Sequence, residues 1–185
     1  MSATEELRTD HRAIERMLVV LEAVAGRLEA GQRVRPGLFR EAVDFVRNFA
    51  DRCHHGKEEG DLFARLEKRG VPRQDGPIGM MLFEHEAGRR YIGAIAEAID
   101  AYEGENEAAA QTIAQNARGY VGLLRGHIRK EEDILFPAAE QILSQSDLDE
   151  MVEQFKRMET EVMGPGVHER YHALLDALEG EMGLG

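Results

Sequence analysis

Tryptophan is absent from this 185-residue chain, cysteine occurs once, proline five times, and aromatic residues make up only 6%. The lone cysteine, Cys53, excludes an internal disulfide and fits a reducing cytoplasm. No apolar run is long enough to cross a bilayer. The N-terminal "MSATEELRTDHR" lacks the positive region and apolar core of a signal peptide, which also fits a cytoplasmic location. Basic residues are outnumbered, with a net charge of -12 and a pI of about 5.1. That balance argues against nucleic acid or an anionic membrane surface as partner and leaves a protein partner open. A length of 185 residues with 43% hydrophobic content suits a single domain, residues 1–185, with a sizeable core.

What is present is helical periodicity, with no convincing strand pattern. A first helix starts at the capping box Ser2-x-x-Glu5 and turns Leu7, His11, Ile14, Leu18, Leu21, Ala25 and Leu28 inward. A second opens after Pro36 and carries Phe39, Val43, Val46, Ala50, His54, Glu58, Leu62 and Leu66 inward. A third presents Ile78, Met81 or Leu82, His85, Arg89, Ile92, Ala96 and Ile99. A fourth presents Ile113, Ala117, Tyr120, Leu124, His127, Glu131, Ile134 and Ala138, and should end or kink at Pro137. Pro36, Pro72, Pro77 and Pro165 fall in turn-like segments. Short loops join the four helices. The reading is all-α: an up-down-up-down four-helix bundle over about 4–142, with a C-terminal helical extension over about 146–183. The extension carries a helix from about Asp147 to Val162, a break at "GPG", and a last helix bearing His168, Tyr171, Leu174 and Leu178.

The anomaly is polar chemistry on packing faces. Each of the four helices places a histidine on its inward stripe: His11, His54, His85 and His127. His54 and His127 are followed four residues later by Glu58 and Glu131, on the same helix face. The two segments repeat each other without a gap: "HHGKEEGDLF" and "HIRKEEDILF" share H-x-x-K-E-E-x-x-L-F. His55 has Ile128 opposite it and reads as peripheral, about 100° from His54 on an α-helix. Networks of Lys, Arg and Glu could satisfy some of these groups. Four histidines and two carboxylates converging inside a core nevertheless point to metal, since buried charges are normally paired or metal-bound. Imidazole and carboxylate without thiolate suit iron, manganese or zinc, and six donors suit two ions better than one.

The order H … HxxxE … H … HxxxE, the repeated "KEE" and "GPIGMMLFEHEAGRRYI" resemble the hemerythrin-like (HHE cation-binding) domain over about residues 4 to 142. The resemblance implies a left-twisted four-helix bundle holding two iron ions, with or without an oxo bridge; manganese or zinc fits the family less well. The implied ligands are His11, His54, Glu58, His85, His127 and Glu131, with the glutamates bridging. Oxygen carriers of the family have a further histidine where this chain has Arg89, and their last carboxylate sits one position later. That departure weakens oxygen carriage and favours reactivity at an open metal position.

Arg89 is read either as a contact to a carboxylate ligand or bound anion, or as a surface partner of a glutamate. His168 or Glu161 of the extension is a candidate for the missing ligand, against the plainer reading of a capping helix. Glu59, Glu132, Glu84 and Lys130 are expected to support the ligands, as are Arg89 and Tyr120. Tyr120 is a donor to a bound oxygen species, a ligand of ferric iron or a packed core residue; Cys53 is a redox group or a small buried apolar one. The segment "HERYH", 168–172, matches the zinc-protease pattern, but only thirteen residues follow it and no substrate-holding strand is expected, so a protease is excluded. A ferritin-like site is disfavoured because only Glu169-x-x-His172 has its spacing. Three function classes follow. One is binding: oxygen sensing, storage or delivery. The second is oxidoreductase turnover of peroxide or nitric oxide, or repair of damaged iron centres. The third is metal storage or a structural module without redox turnover.

Overall fold

The computed structural model describes residues 2–164 and 166–184, and these are all-helical, with no strand among them. Pro165, expected in a turn, lies outside the described residues. Eight α-helices occur among the described residues: α1 (Ala3–Glu29), α2 (Pro36–Phe45), α3 (Phe63–Lys68), α4 (Pro77–Glu103), α5 (Glu107–Lys130), α6 (Phe136–Ile142), α7 (Gln145–Met158) and α8 (Val167–Met182). The expected start of α1 is present as a full capping box. Ser2 Oγ accepts from the Glu5 amide, and the Glu5 carboxylate accepts from the Ser2 amide at 2.7 Å.

The expected second and fourth helices are not uniform. The second runs α2, then π-helical Val46–His55 and Glu58–Leu62, then α3. The fourth runs α5, π-helical Glu131–Leu135, then α6. The π stretches Glu58–Leu62 and Glu131–Leu135 occupy matching places in the H-x-x-K-E-E-x-x-L-F repeat. Pro137 sits in the first turn of α6, where its missing N–H is tolerated. Its counterpart in the other segment is Ala64, so proline is not what sets the π geometry.

A π turn closes on i→i+5 hydrogen bonds and so shifts the inward stripe by about one position. Ile134 and Ala138 were expected inside; instead Ile134 is 61% exposed, and Leu135, Phe136 and Ala139 are buried.

Two apolar clusters flank a polar layer. The larger joins the Ile14–Leu28 side of α1 to Phe39, Ala50, Ile92, Ile99, Ile113 and Leu124, and to Tyr171 and Leu178 of α8. The smaller gathers Ala3, Leu7, Leu62, Phe63, Ile78, Met81, Leu135 and Phe136, with Met151 and Phe155 of α7. In each of the four histidine-bearing segments, the histidine lies between residues of the two clusters. The extension is therefore part of the core. It is also tied down by Tyr171 Oη donating to Asp44 at 3.0 Å and by Arg16 forked onto Glu179.

Candidate metal centre

Between the two clusters lie His11, His54, His55, His85 and His127, each at most 4% exposed, with Glu58 and Glu131 at 0%. Their orientation comes from a set of buried or half-buried carboxylates around them. His54 Nδ1 lies 3.4 Å from Asp10 Oδ2, His127 Nδ1 2.9 Å from Glu84, His85 Nδ1 2.8 Å from Glu59, and His11 Nδ1 3.0 Å from Glu132. His55 Nδ1 lies 3.2 Å from Asp51. An ionised carboxylate only accepts, so each Nδ1 carries a proton and each Nε2 turns inward, where a ligand-binding nitrogen would stand.

These pairs follow the internal repeat. The Asp10–His11 pair on α1 corresponds to Glu84–His85 on α4. Asp10 takes His54 and Lys57; Glu84 takes His127 and Lys130, residues at matching repeat positions. Glu132 and Glu59 likewise match as the partners of His11 and His85.

Inside, Glu131 lies 3.2 Å from Nε2 of both His11 and His127, and Glu58 lies 3.5 Å from Nε2 of both His54 and His85. All four oxygens of Glu58 and Glu131 lack a hydrogen-bond partner, as do His11 Nε2 and His55 Nε2. His85 Nε2 and His127 Nε2 are 3.1 Å apart, close enough to share one ion given metal–imidazole bonds of about 2.0–2.1 Å. Two groups of potential ligand atoms result, each within 4.8 Å: His11, His54, Glu58 and Glu131, and His55, Glu58, His85 and His127. Glu58 belongs to both.

The electrostatics show what the protein carries without cations. Burial, reinforced by neighbouring Glu131, pushes the Glu58 carboxyl well above its usual range, so it holds a proton. Burial also opposes charge on Glu131, but His127 and His11 beside it hold that carboxyl well below its usual range. Burial lowers His54 to about 4 and takes His55 well below its ordinary value, so both stay neutral. Burial works against charge on His127 too, yet Glu131 and Glu84 push it up to about 9. Protons thus stand where cations would otherwise balance the carboxylates. The orphaned oxygens and inward nitrogens fit a pair of divalent ions bridged by carboxylate.

A family model, the hemerythrin HHE cation-binding domain, matches residues 2–139. The chain belongs to this family. Uncharacterized proteins of Mycobacterium bovis and Mycobacterium tuberculosis are 24% identical to it over 156 residues, covering 84% of this chain and 60% of theirs. The chain thus spans about 60% of the length of these curated relatives. No solved structure matches it significantly.

Within this hemerythrin-like chain the structure brings together His11, His54, Glu58, His85, His127 and Glu131, turns His55 inward against expectation, and decides between the alternatives for Arg89, His168 and Glu161. His55 is not peripheral. It is 4% exposed and stacks on His85, because the π turns of Val46–His55 reduce the rotation between successive residues and let His54 and His55 both face inward. A usable signal existed: one histidine was short at Arg89, and a spare one stood beside His54.

Arg89 does not point inward; Gly88 takes that position, and a Cβ there would meet the Tyr120 ring at 3.4 Å. Arg89 instead holds Asp51 at 2.7 Å and Glu59 at 2.8 Å, the acceptors of His55 and His85. His168 does not reach the central cluster, because it is grouped with Cys53 and Glu159. Glu161 is exposed and joins no potential metal group among the described residues. Glu169 and His172 of the protease-like motif are exposed as well.

Tyr120 is 1% exposed with a partnerless hydroxyl, and burial, with Asp51 nearby, raises its pKa. It lines a cavity of about 100 Å³ together with His55, His85, Gly88 and Arg89.

Proposed function

We propose that this chain is a non-haem di-iron protein that binds, or reacts with, oxygen, peroxide or nitric oxide. The observation that carries the reading is the pair of fully buried carboxylates Glu58 and Glu131, faced only by a ring of five inward imidazole nitrogens. His11 and His54 would hold one ion, His55, His85 and His127 the other, with Glu58 and Glu131 between them. Iron bound by imidazole and carboxylate supplies ferrous–ferric redox chemistry.

The chain's own residues do the rest. Asp10, Glu84, Glu59 and Glu132 fix the imidazole tautomers from outside. The apolar clusters on both sides exclude bulk water and keep the dielectric low. The cavity of about 100 Å³ on the His55 side suits a diatomic or peroxide, well below the roughly 300 Å³ or more of organic-substrate pockets. Tyr120 Oη remains protonated there and offers a donor to such a ligand. The four segments run alternately from one apolar cluster to the other, which supports an up-down-up-down bundle as the frame. The lone, buried Cys53 supports a cytoplasmic setting.

The test is an optical spectrum of iron-loaded, anaerobically reduced protein before and after oxygen. Near-ultraviolet charge-transfer bands on oxygenation are expected. Their reversal on degassing assigns binding or delivery, and irreversible oxidation assigns redox turnover. A spectrally silent centre overturns the oxygen reading in favour of storage or a structural role.

A further inference from the structure

We propose that Cys53, Glu159 and His168 form a second, mononuclear site for a borderline divalent cation such as zinc, separate from the Glu58/Glu131 centre. One ligand atom from each of the three lies within 4.8 Å of the others. They come from three separate elements: the π stretch Val46–His55, the π stretch Glu159–Met163 and the first turn of α8. Gly164 and Gly166, with φ of 81° and 76°, break the helix between Glu159 and His168, and both residues lie against Cys53. Side chains with a Cβ resist that backbone region.

Two observations point to a ligand rather than to packing. His168 Nε2 is buried without a hydrogen-bond partner, although it lies 3.3 Å from Glu159 Oε1 and 3.9 Å from Asp10 Oδ1. Anionic groups are also concentrated here. Glu6, Asp10 and Glu159 converge on Lys57 Nζ at 3.0, 3.0 and 2.6 Å, and Glu159 also pairs with His168. A divalent cation in place of the His168 proton keeps Glu159 paired.

Thiolate, imidazole and carboxylate are a zinc donor set, and three protein ligands leave a fourth position open. Binding transfers the Cys53 thiol proton to solvent as the sulfur–metal bond forms. A cavity of about 190 Å³ lined by Glu159, Met163, Gly164 and His168 gives the open position a route to solvent. Asp10, which accepts from His54, stands between this site and the main centre.

The full-length protein, kept reduced, is titrated with cobalt(II). Cys53 is the only sulfur donor of its kind in the chain, and the central cluster has none. A thiolate-to-cobalt charge-transfer band therefore reports this site alone. The band is expected to saturate at one cobalt, with three cobalt ions bound per chain in total, and to disappear when zinc is added. Cys53→Ser removes it. His168→Ala, at a half-exposed position, keeps the two central ions as a folding control and moves the band's midpoint to about ten-fold higher cobalt or more. Two bound ions with no thiolate band, or a His168→Ala titration identical to wild type, overturns the proposal. The redox behaviour of the central ions does not enter this test, so the two readings fail separately.

Discussion

His55 lies flat on His85, with ring centroids 3.8 Å apart and planes 11° from parallel. Its Nδ1 is held by Asp51, and its Nε2 is buried with no partner. An imidazole placed this way in the interior is poised to bind rather than to pack. His55→Ala is predicted to fold, to keep one metal ion close to wild-type affinity, and to weaken the second about ten-fold or more. Calorimetric metal titration separates the two steps. Unchanged binding of both ions removes His55 from the ligand set.

Asp10 and Glu84 hold equivalent imidazoles in the two halves, at 3.4 and 2.9 Å. Neither enters the ring of inward nitrogens. Asp10→Asn and Glu84→Gln, which keep the shape but lose the charged acceptor, should each lower metal affinity by roughly 10- to 100-fold. The overall helix content by circular dichroism should stay unchanged.

The repeat is chemically asymmetric at its lysines. Lys57 is fully buried among Glu6, Asp10 and Glu159, whereas Lys130 is 37% exposed beside Glu84. Removing one partner of a buried charge network leaves uncompensated charge, at about 3–5 kcal/mol; a part-exposed pair is worth about 1 kcal/mol or less. Lys57→Met is therefore expected to lower denaturant stability far more than Lys130→Met. Equal effects from the two would contradict the burial argument.

Metal loading should release protons. At pH 7 the metal-free site keeps one on Glu58, whose pKa is raised by burial and by Glu131, and one on His127, whose pKa is raised to about 9 against the pull of burial. Both must leave for the ligands to bind. Affinity therefore falls as pH drops, by up to on the order of a hundred-fold per unit while both protons are in play. Above about pH 9 the His127 share vanishes. Calorimetry in buffers of different ionisation enthalpy counts these protons, and a count of zero contradicts the assignment.

Much of this was legible in the chain. The helical class follows from apolar periodicity, and the four inward histidines with Glu58 and Glu131 stand out as polar breaks in apolar stripes. The capping box at Ser2 reads directly from its four residues. What periodicity could not carry was the π geometry, because a 3.6-residue template assigns one inward position where a wider turn admits two. That error hid His55 and placed Ile134 inside. Arg89 misled for a related reason: the template did not see that Gly88, with no side chain, yields the inward position to the Tyr120 ring. The link from Cys53 to His168 was invisible because it depends on how the helix break at Gly164 and Gly166 sets the last helix against the second segment.

The central claim is a carboxylate-bridged pair of irons on Glu58 and Glu131. Iron quantitation combined with low-temperature electron paramagnetic resonance of the oxidised, iron-reconstituted protein tests it most directly. Bridged ferric ions couple their spins, so two irons per chain with no high-spin ferric signal is the predicted result. One iron per chain, or an isolated ferric signal accounting for most of the iron, would contradict it.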